Sequence, residues 1–241
     1  MTERADKLIF DLGFCKSRSA AKTLIEEGKV KANGKTVLKP SEPIEINAEI
    51  IITEPCRYVS RGGLKLEGAL DKFKIDVKGD ICVDIGASTG GFTDCLLQRG
   101  AKKVYCIDSG HGQLDKALVC DERIINIEGF NARELSPETL GELCDVAVMD
   151  VSFISQTLLH KNAYSVLKPG GKFISLIKPQ FEAGRENIGK HGIANPDCYE
   201  YVINKVTISA KQAGFELVGI ETSVIKGGDG NTEFTAYFIK K

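Results

Sequence analysis

The chain has no apolar run near the ~20 residues that span a bilayer. Its opening stretch, MTERADKLIFDLGF, carries mixed charges and lacks the apolar core of a secretory leader. A cytoplasmic protein without a membrane partner is therefore expected. Histidines number only 3, and the 8 cysteines are scattered at 15, 56, 82, 95, 106, 120, 144 and 198, with no Cys-x-x-Cys pair. Tetrahedral zinc needs close ligand pairs, so no metal is expected. Cys82 and Cys106 fall inside strand-like apolar runs and read as small buried hydrophobes. Internal repeats and low-complexity segments are absent. No charge sign dominates, since the net charge is −1. Hydrophobic content of 42% and charged content of 27% are ordinary for a soluble globular protein. A length of 241 residues suits one moderate domain plus a small one.

The charge is unevenly placed. Lys16, Arg18, Lys22, Lys29, Lys31, Lys35 and Lys39 face only Glu26 and Glu27 over residues 16–39, a local charge of about +5. Such a patch is either a solvated face or the footprint of a phosphate-backbone binder. Around it, RADKLIFDLG and SRSAAKTLIEEG place apolar residues at helical spacing. Ser17 or Ser19 is suited to cap the second helix and Gly28 to end it. Asn33-Gly34 between alternating segments is a hairpin signal, and EPIEINAEIIIT reads as one further strand. RADKLI, SRSAAKTLIEEGKVKANGK and KPSEPI together resemble the S4 RNA-binding domain, with Ala5 where that family usually has leucine. The resemblance implies that Lys16, Arg18, Lys22, Lys29, Lys31 and Lys35 face structured RNA. Arg57 and Arg61, in the segment that follows, are added to this set. The expected division is an S4 domain over 1–55, a linker over 56–63 and a second domain over 64–241.

That second domain alternates. After the amphipathic LKLEGALDKF come strand-like DICVDIG, KKVYCID, RIINIE, DVAVMDV and GKFISLIK. Helix-like FTDCLLQRG, QLDKALV and ISQTLLHKNAYSVL lie between them. The pattern indicates a parallel sheet with helices on both faces. After the helix CYEYVINKVTISAKQAG, FELVGIETSVIK and TEFTAYFIKK follow as a hairpin. The whole is similar to the α/β class I methyltransferase fold, a Rossmann-like seven-stranded sheet with a C-terminal β-hairpin.

In an open parallel sheet, ligands sit at the carboxyl ends of the strands. The first such end reads VDIGASTGGFTD. Gly86, Gly90 and Gly91 let backbone approach a ligand that side chains would block, and Ser88 and Phe92 belong to the same turn. Asp108 ends the second strand, where a carboxylate accepts from ribose hydroxyls. A glycine turn alone suits NAD or S-adenosylmethionine. The spacing GxxxGG, the terminal hairpin and Asp84, suited to a cationic aminoacyl group, favour S-adenosylmethionine. Asn131 follows the third strand, where an acid often holds the adenine amine, and its carbonyl oxygen can serve instead.

Four charged residues remain: Lys65 on the helix before the first strand, Asp150 and Lys178 at the ends of the fourth and fifth, and Glu233 at the start of the last. Singly, each reads equally well as a surface charge. Together they resemble the Lys-Asp-Lys-Glu tetrad of FtsJ-type ribose 2′-O-methyltransferases. With RYVSRGGLKL, VDIGASTGGFTD, MDVSFIS and IKPQFE, essentially the whole chain is similar to the TlyA family, whose members were long called haemolysins. The resemblance implies an S-adenosylmethionine-dependent 2′-O-methyltransferase acting on ribosomal RNA or ribosomal subunits, at cytidine. A ribose hydroxyl is a poor nucleophile, and a lysine assists either as a desolvated base or by stabilising the alkoxide. Lys178 takes this role, Asp150 and Glu233 orient the lysines, and Lys65 positions the ribose or its phosphate. Asp150 also borders the cofactor.

Amine methylation is disfavoured because Asp150-Val151-Ser152-Phe153 lacks the Pro-Pro of amine methylases. A cysteine-nucleophile mechanism is disfavoured because Cys144 and Cys198 lie away from the reactive end. The other readings are a non-catalytic RNA-binding or ribosome-assembly factor, a haemolysin, and a nicotinamide oxidoreductase. Residues 179–198 read as a long loop that orders on RNA. His191 within it reads as a phosphate or solvent contact rather than a base.

Overall fold

The computed structural model describes residues 1–15, 17–54, 57–227 and 230–241. The N-terminal unit runs β1 (Thr2–Arg4), α1 (Ala5–Asp11), α2 (Arg18–Glu26), β2 (Val30–Ala32), β3 (Lys35–Thr36), β4 (Pro43–Glu45) and β5 (Ile50–Ile52). Ser17 Oγ accepts from Ala20 N at 3.1 Å and starts α2, and Gly28, at φ +69°, turns the chain out of it. Asn33 and Gly34, at φ +48° and +76°, make the tight turn between β2 and β3. Leu8, Ile9, Leu24 and Ile25 of the helices pack on Val30, Val37, Ile44 and Ile50 in a core of their own. The segment expected as one strand over 42–53 is instead two. β4 pairs with β1 and β5 pairs with β2. A turn at 45–48 lets the chain leave one sheet for the other, and Asn33 Oδ1 accepts from Glu49 N at 2.9 Å to fix the second register.

The larger unit opens with α3 (Gly62–Phe73), then β6 (Ile81–Ile85), α4 (Gly91–Gln98), β7 (Lys103–Ile107), α5 (Lys116–Val119), β8 (Ile124–Ile127) and α6 (Pro137–Leu140). It continues with β9 (Cys144–Met149), α7 (His160–Ser165), β10 (Leu167–Ile177), α8 (Pro179–Glu182), α9 (Tyr199–Ala213), β11 (Phe215–Thr222) and β12 (Phe234–Lys240). Seven strands form one sheet in the order β11-β12-β10-β9-β6-β7-β8. β10, β9, β6, β7 and β8 are parallel, and β12 inserts antiparallel between β10 and β11. Strand residues alternate between two apolar cores. Val83, Ile85, Ala147, Met149 and Phe173 face one side, where Phe173 stacks on Phe215 and Phe238 at 4.8 and 5.7 Å. Cys82, Val104, Cys106, Val146 and Ile174 face the other, beneath Leu66, Leu70 and Leu96 of α3 and α4. Cys82 and Cys106 are fully buried. Tyr58 and Val59 also pack into this second core, and Val59 N donates to Asp94 at 2.9 Å.

ISQTLLHKNAYSVL is not one helix. A 3₁₀ turn at Gln156–Leu158 precedes α7. Gln156 sends its amide inward to Leu176 O at 3.2 Å and accepts from Ser175 Oγ, so buried polar pairing overrides the helical pattern. QLDKALV shortens to the single turn α5, capped by Asp115. Residues 179–198 are α8 followed by three 3₁₀ turns, and Ile188 bridges to Ala194. Asn231, 1% exposed, holds this segment by accepting from Ala194 N at 2.9 Å and donating to Gly192 O at 3.0 Å.

Candidate active site

Strand order reverses between β6 and β9. One connection leads from β6 out to β7 and the other side holds β9, so a crevice opens at their carboxyl ends. Gly86 lines it at φ +86°, and a Cβ there would lie 2.8 Å from the carbonyl oxygen of Asp150. Only glycine lets the first turn approach the end of β9 this closely. Ser88, at φ +47°, donates its N–H to Asp108 at 2.8 Å, and Gly110 N does the same at 2.8 Å. Gly91 lies so close to Ser60 Oγ and Gly63 N that a Cβ would collide with both.

Two cavities meet here. The first, about 370 Å³, is lined by Gly86, Ser88, Asp108, Phe130, Asn131 and Asp150 among others. That size lies within the range of small-molecule sites. The second, about 190 Å³, is lined by Ser60, Gly62, Lys65, Phe92, Asp150 and Lys178 among others. They share Gly86, Ser88, Asp150 and Ser152. Asp84 and Gly90 line neither. Gly90, at φ +89°, instead starts α4 against Leu114 and Leu118.

The four charged residues form two ion pairs. Lys65 Nζ lies 2.5 Å from Glu233 Oε2, and both are buried. Lys178 Nζ lies 2.5 Å from Asp150 Oδ1 and donates to Ser152 Oγ at 2.9 Å. Asp84 is fully buried under the turn, where one oxygen accepts from Thr93 Oγ1 at 2.7 Å and the other has no hydrogen-bond partner among the described residues. Burial pushes its carboxyl up to about 7, against the Thr93 hydrogen bond and with the negative charges of Asp150 and Asp108 adding to the push. Asn131 Oδ1 accepts from Arg133 N at 3.1 Å while the residue lines the first cavity. Glu128, beside it in sequence, is spent on Gly112 N and Gln113 N at 2.5 and 3.2 Å. Cys144 and Cys198 line neither cavity, and burial pushes the Cys144 thiol up to about 12.

Sequence reasoning missed Ser60, Ser152 and Phe153. Phe153 is 93% exposed at φ +63° and packs on Phe181 with ring centroids 5.0 Å apart. Its place in MDVSF next to Asp150 was the only available signal. The expected RNA contacts divide into two groups. Arg18 pairs with Asp6 at 2.8 Å, Lys29 with Glu27 and Glu54 at 3.0 and 2.9 Å, Arg61 with Glu26 at 2.9 Å, and Arg57 with Glu67. Lys22, Lys31 and Lys35 are exposed. Lys16 lies outside the described residues.

A Rossmann-like sheet with an inserted antiparallel strand, and a cavity over its strand ends, define a class I methyltransferase. The FtsJ-like methyltransferase family model matches residues 58–240, and the S4 domain model matches residues 3–50. Hemolysin A of Brachyspira hyodysenteriae is 43% identical over 98% of this chain and 99% of its own. The 16S/23S rRNA (cytidine-2′-O)-methyltransferase TlyA of Mycobacterium tuberculosis is 38% identical over 96% of this chain and 87% of its own. A Streptococcus thermophilus structure solved under the name hemolysin is 44% identical, covers 100% of this chain and 89% of its own, and superposes with a TM-score of 0.79. The chain belongs to the FtsJ-like methyltransferases and, within them, to the S4-bearing TlyA family.

Proposed function

We propose that this protein transfers the methyl group of S-adenosylmethionine to a ribose 2′-hydroxyl of ribosomal RNA. The observation that carries the reading is the meeting of two cavities at Asp150, with the Lys178–Asp150 and Lys65–Glu233 pairs at the smaller one. The larger cavity suits the cofactor. Gly86 leaves space that a Cβ would fill and Asp108 offers acceptors for ribose hydroxyls, while Asp84 lies buried beneath the turn and lines neither cavity. Ser88, Gly91, Phe92 and Asn131 border the same crevice. S-adenosylmethionine, when bound, supplies a methyl group on a sulfonium centre. The chain's own task is to hold the ribose and stabilise its oxygen. Lys178, as an ammonium, stabilises the developing alkoxide, and the Asp150 carboxylate that fixes it accepts the hydroxyl proton. Lys65, held by Glu233, anchors the ribose or its phosphate. Alignment of this kind supplies much of the rate in a bimolecular transfer.

Residues 1–55 dock the RNA in this reading, 64–241 carry out transfer, and 56–63 join them. Cytidine as acceptor follows the Mycobacterium tuberculosis relative, which is named for that nucleoside. Among the described residues no helix is long and apolar enough to cross a membrane, and we place the protein in the cytoplasm with ribosomal subunits. The test is transfer from labelled S-adenosylmethionine to subunits and free rRNA, with products digested to nucleosides. Label on a 2′-O-methylnucleoside is expected, falling at least about 100-fold in Lys178→Ala. Label on a base would overturn the tetrad assignment. Cofactor binding without transfer would favour a binding-only role, and erythrocyte lysis by the purified chain would favour the haemolysin reading.

A further inference from the structure

Glu233 has two oxygens, and Lys65 takes only one of them, Oε2. The other, Oε1, accepts from Gln180 Nε2 at 3.3 Å. Gly227 leaves room for it, since a Cβ at that position would come within 2.6 Å of Glu233 Oε1. Gln180 stands two residues after Lys178, on the single turn α8 that Pro179 begins. One short stretch of chain therefore carries the lysine of one ion pair and the amide that holds the carboxylate of the other. Gln180 Oε1 is buried with no hydrogen-bond partner among the described residues. A buried acceptor left unpaired works against folding, so stability alone does not explain an amide here. The amide is also the right chemistry for the place. It donates to Glu233 without adding charge, whereas a carboxylate would compete with Glu233 for Lys65 and repel it.

We propose that Gln180 is a positioning residue that fixes Glu233, and through it Lys65, in register with the Lys178–Asp150 pair. This rests on the reading of those four residues as the methyl-transfer site. The step it serves is the transfer itself, so the loss belongs in kcat and not in cofactor affinity.

The test compares wild type, Gln180→Met and Gln180→Glu in single-turnover methylation of ribosomal subunits, with S-adenosylmethionine binding measured by calorimetry and Tm recorded alongside. Gln180→Met keeps the length and removes the donor. Its transfer rate should fall about tenfold, the worth of one hydrogen bond to a charged group, with cofactor affinity unchanged within about twofold. Gln180→Glu should be impaired at high pH, where a second carboxylate faces Glu233. It should recover relative to wild type as the pH falls, because a protonated glutamic acid again donates. A purely structural glutamine would lower Tm without producing that pH-dependent ratio. A Gln180→Met rate within twofold of wild type, or a Gln180→Glu to wild-type ratio that stays flat with pH, overturns the inference. Lys65→Ala and Lys178→Ala run in parallel separate the two failures. If both alanine variants lose transfer while Gln180→Met does not, only the role of Gln180 falls. If both retain transfer, the reading of the site falls with it.

Discussion

Asp84 has its charge buried where its neighbours do not neutralise it. Its carboxyl has an ordinary value of 3.8 and stands at about 7 in the folded chain, chiefly because it is buried. Between those values the folded state keeps a proton that the unfolded chain has released. Stability therefore falls as pH rises from about 4 to about 7 and stays low above that. Asp84→Asn removes the titration. Its stability relative to wild type should rise by roughly 4 kcal/mol from about pH 4 to about pH 8. Urea denaturation at a series of pH values measures this, and a difference that does not change with pH would contradict it.

Among the elements, α8 does more than its four residues suggest. Glu182, 4% exposed, accepts from Ser155 Oγ at 2.6 Å and Gln156 N at 2.7 Å, and pairs with Lys205 at 3.1 Å. It ties the segment after Asp150 to the turn that follows Lys178, so both sides of the Lys178–Asp150 pair share one brace. Glu182→Ala leaves Gln156 N without its acceptor, while Lys205, a third exposed, still reaches water. The expected loss is about 1–3 kcal/mol in the urea midpoint at unchanged m. Weaker cofactor binding should accompany it, because Val151–Phe153 line the first cavity. Periodicity gave no sign of this element. A single turn beginning at a proline has no apolar repeat to read, and PQFE fell inside a stretch expected to be a loop.

At the scale of the whole molecule, the basic end of the chain is not uniformly available. Arg18, Lys29, Arg57 and Arg61 are already held by carboxylates, and the Arg61–Glu26 pair spans from α2 to the start of α3. Lys22, Lys31 and Lys35 have no ion pair among the described residues. They offer full charges to phosphate. Replacing all three with alanine should weaken subunit binding and lower the log–log salt slope by about 1 for each lysine that contacts a phosphate. Cofactor affinity should not move, since none of the three lines either cavity. Filter binding across a salt series checks the slope. An unchanged slope would place the RNA on another face.

What the sequence determined by itself was the kind of architecture and the ends at which chemistry gathers. Alternating apolar runs dictate a buried parallel sheet, the GxxxGG spacing dictates a close turn at Gly86, and Asp108, Asp150 and Lys178 follow strands because the runs end there. Only the tertiary structure decided which charge meets which. Lys65 and Glu233 lie 168 positions apart and touch because β12 inserts beside β10 and returns Glu233 to α3. It also decided that Asp84 is sealed beneath the turn, that Gln156 breaks an expected helix to satisfy Ser175, and that half of the basic patch is spoken for. The physical reason is the same in each case. Local spacing specifies which face a residue presents, while partners and burial are set by which surfaces pack together across long loops in the chain.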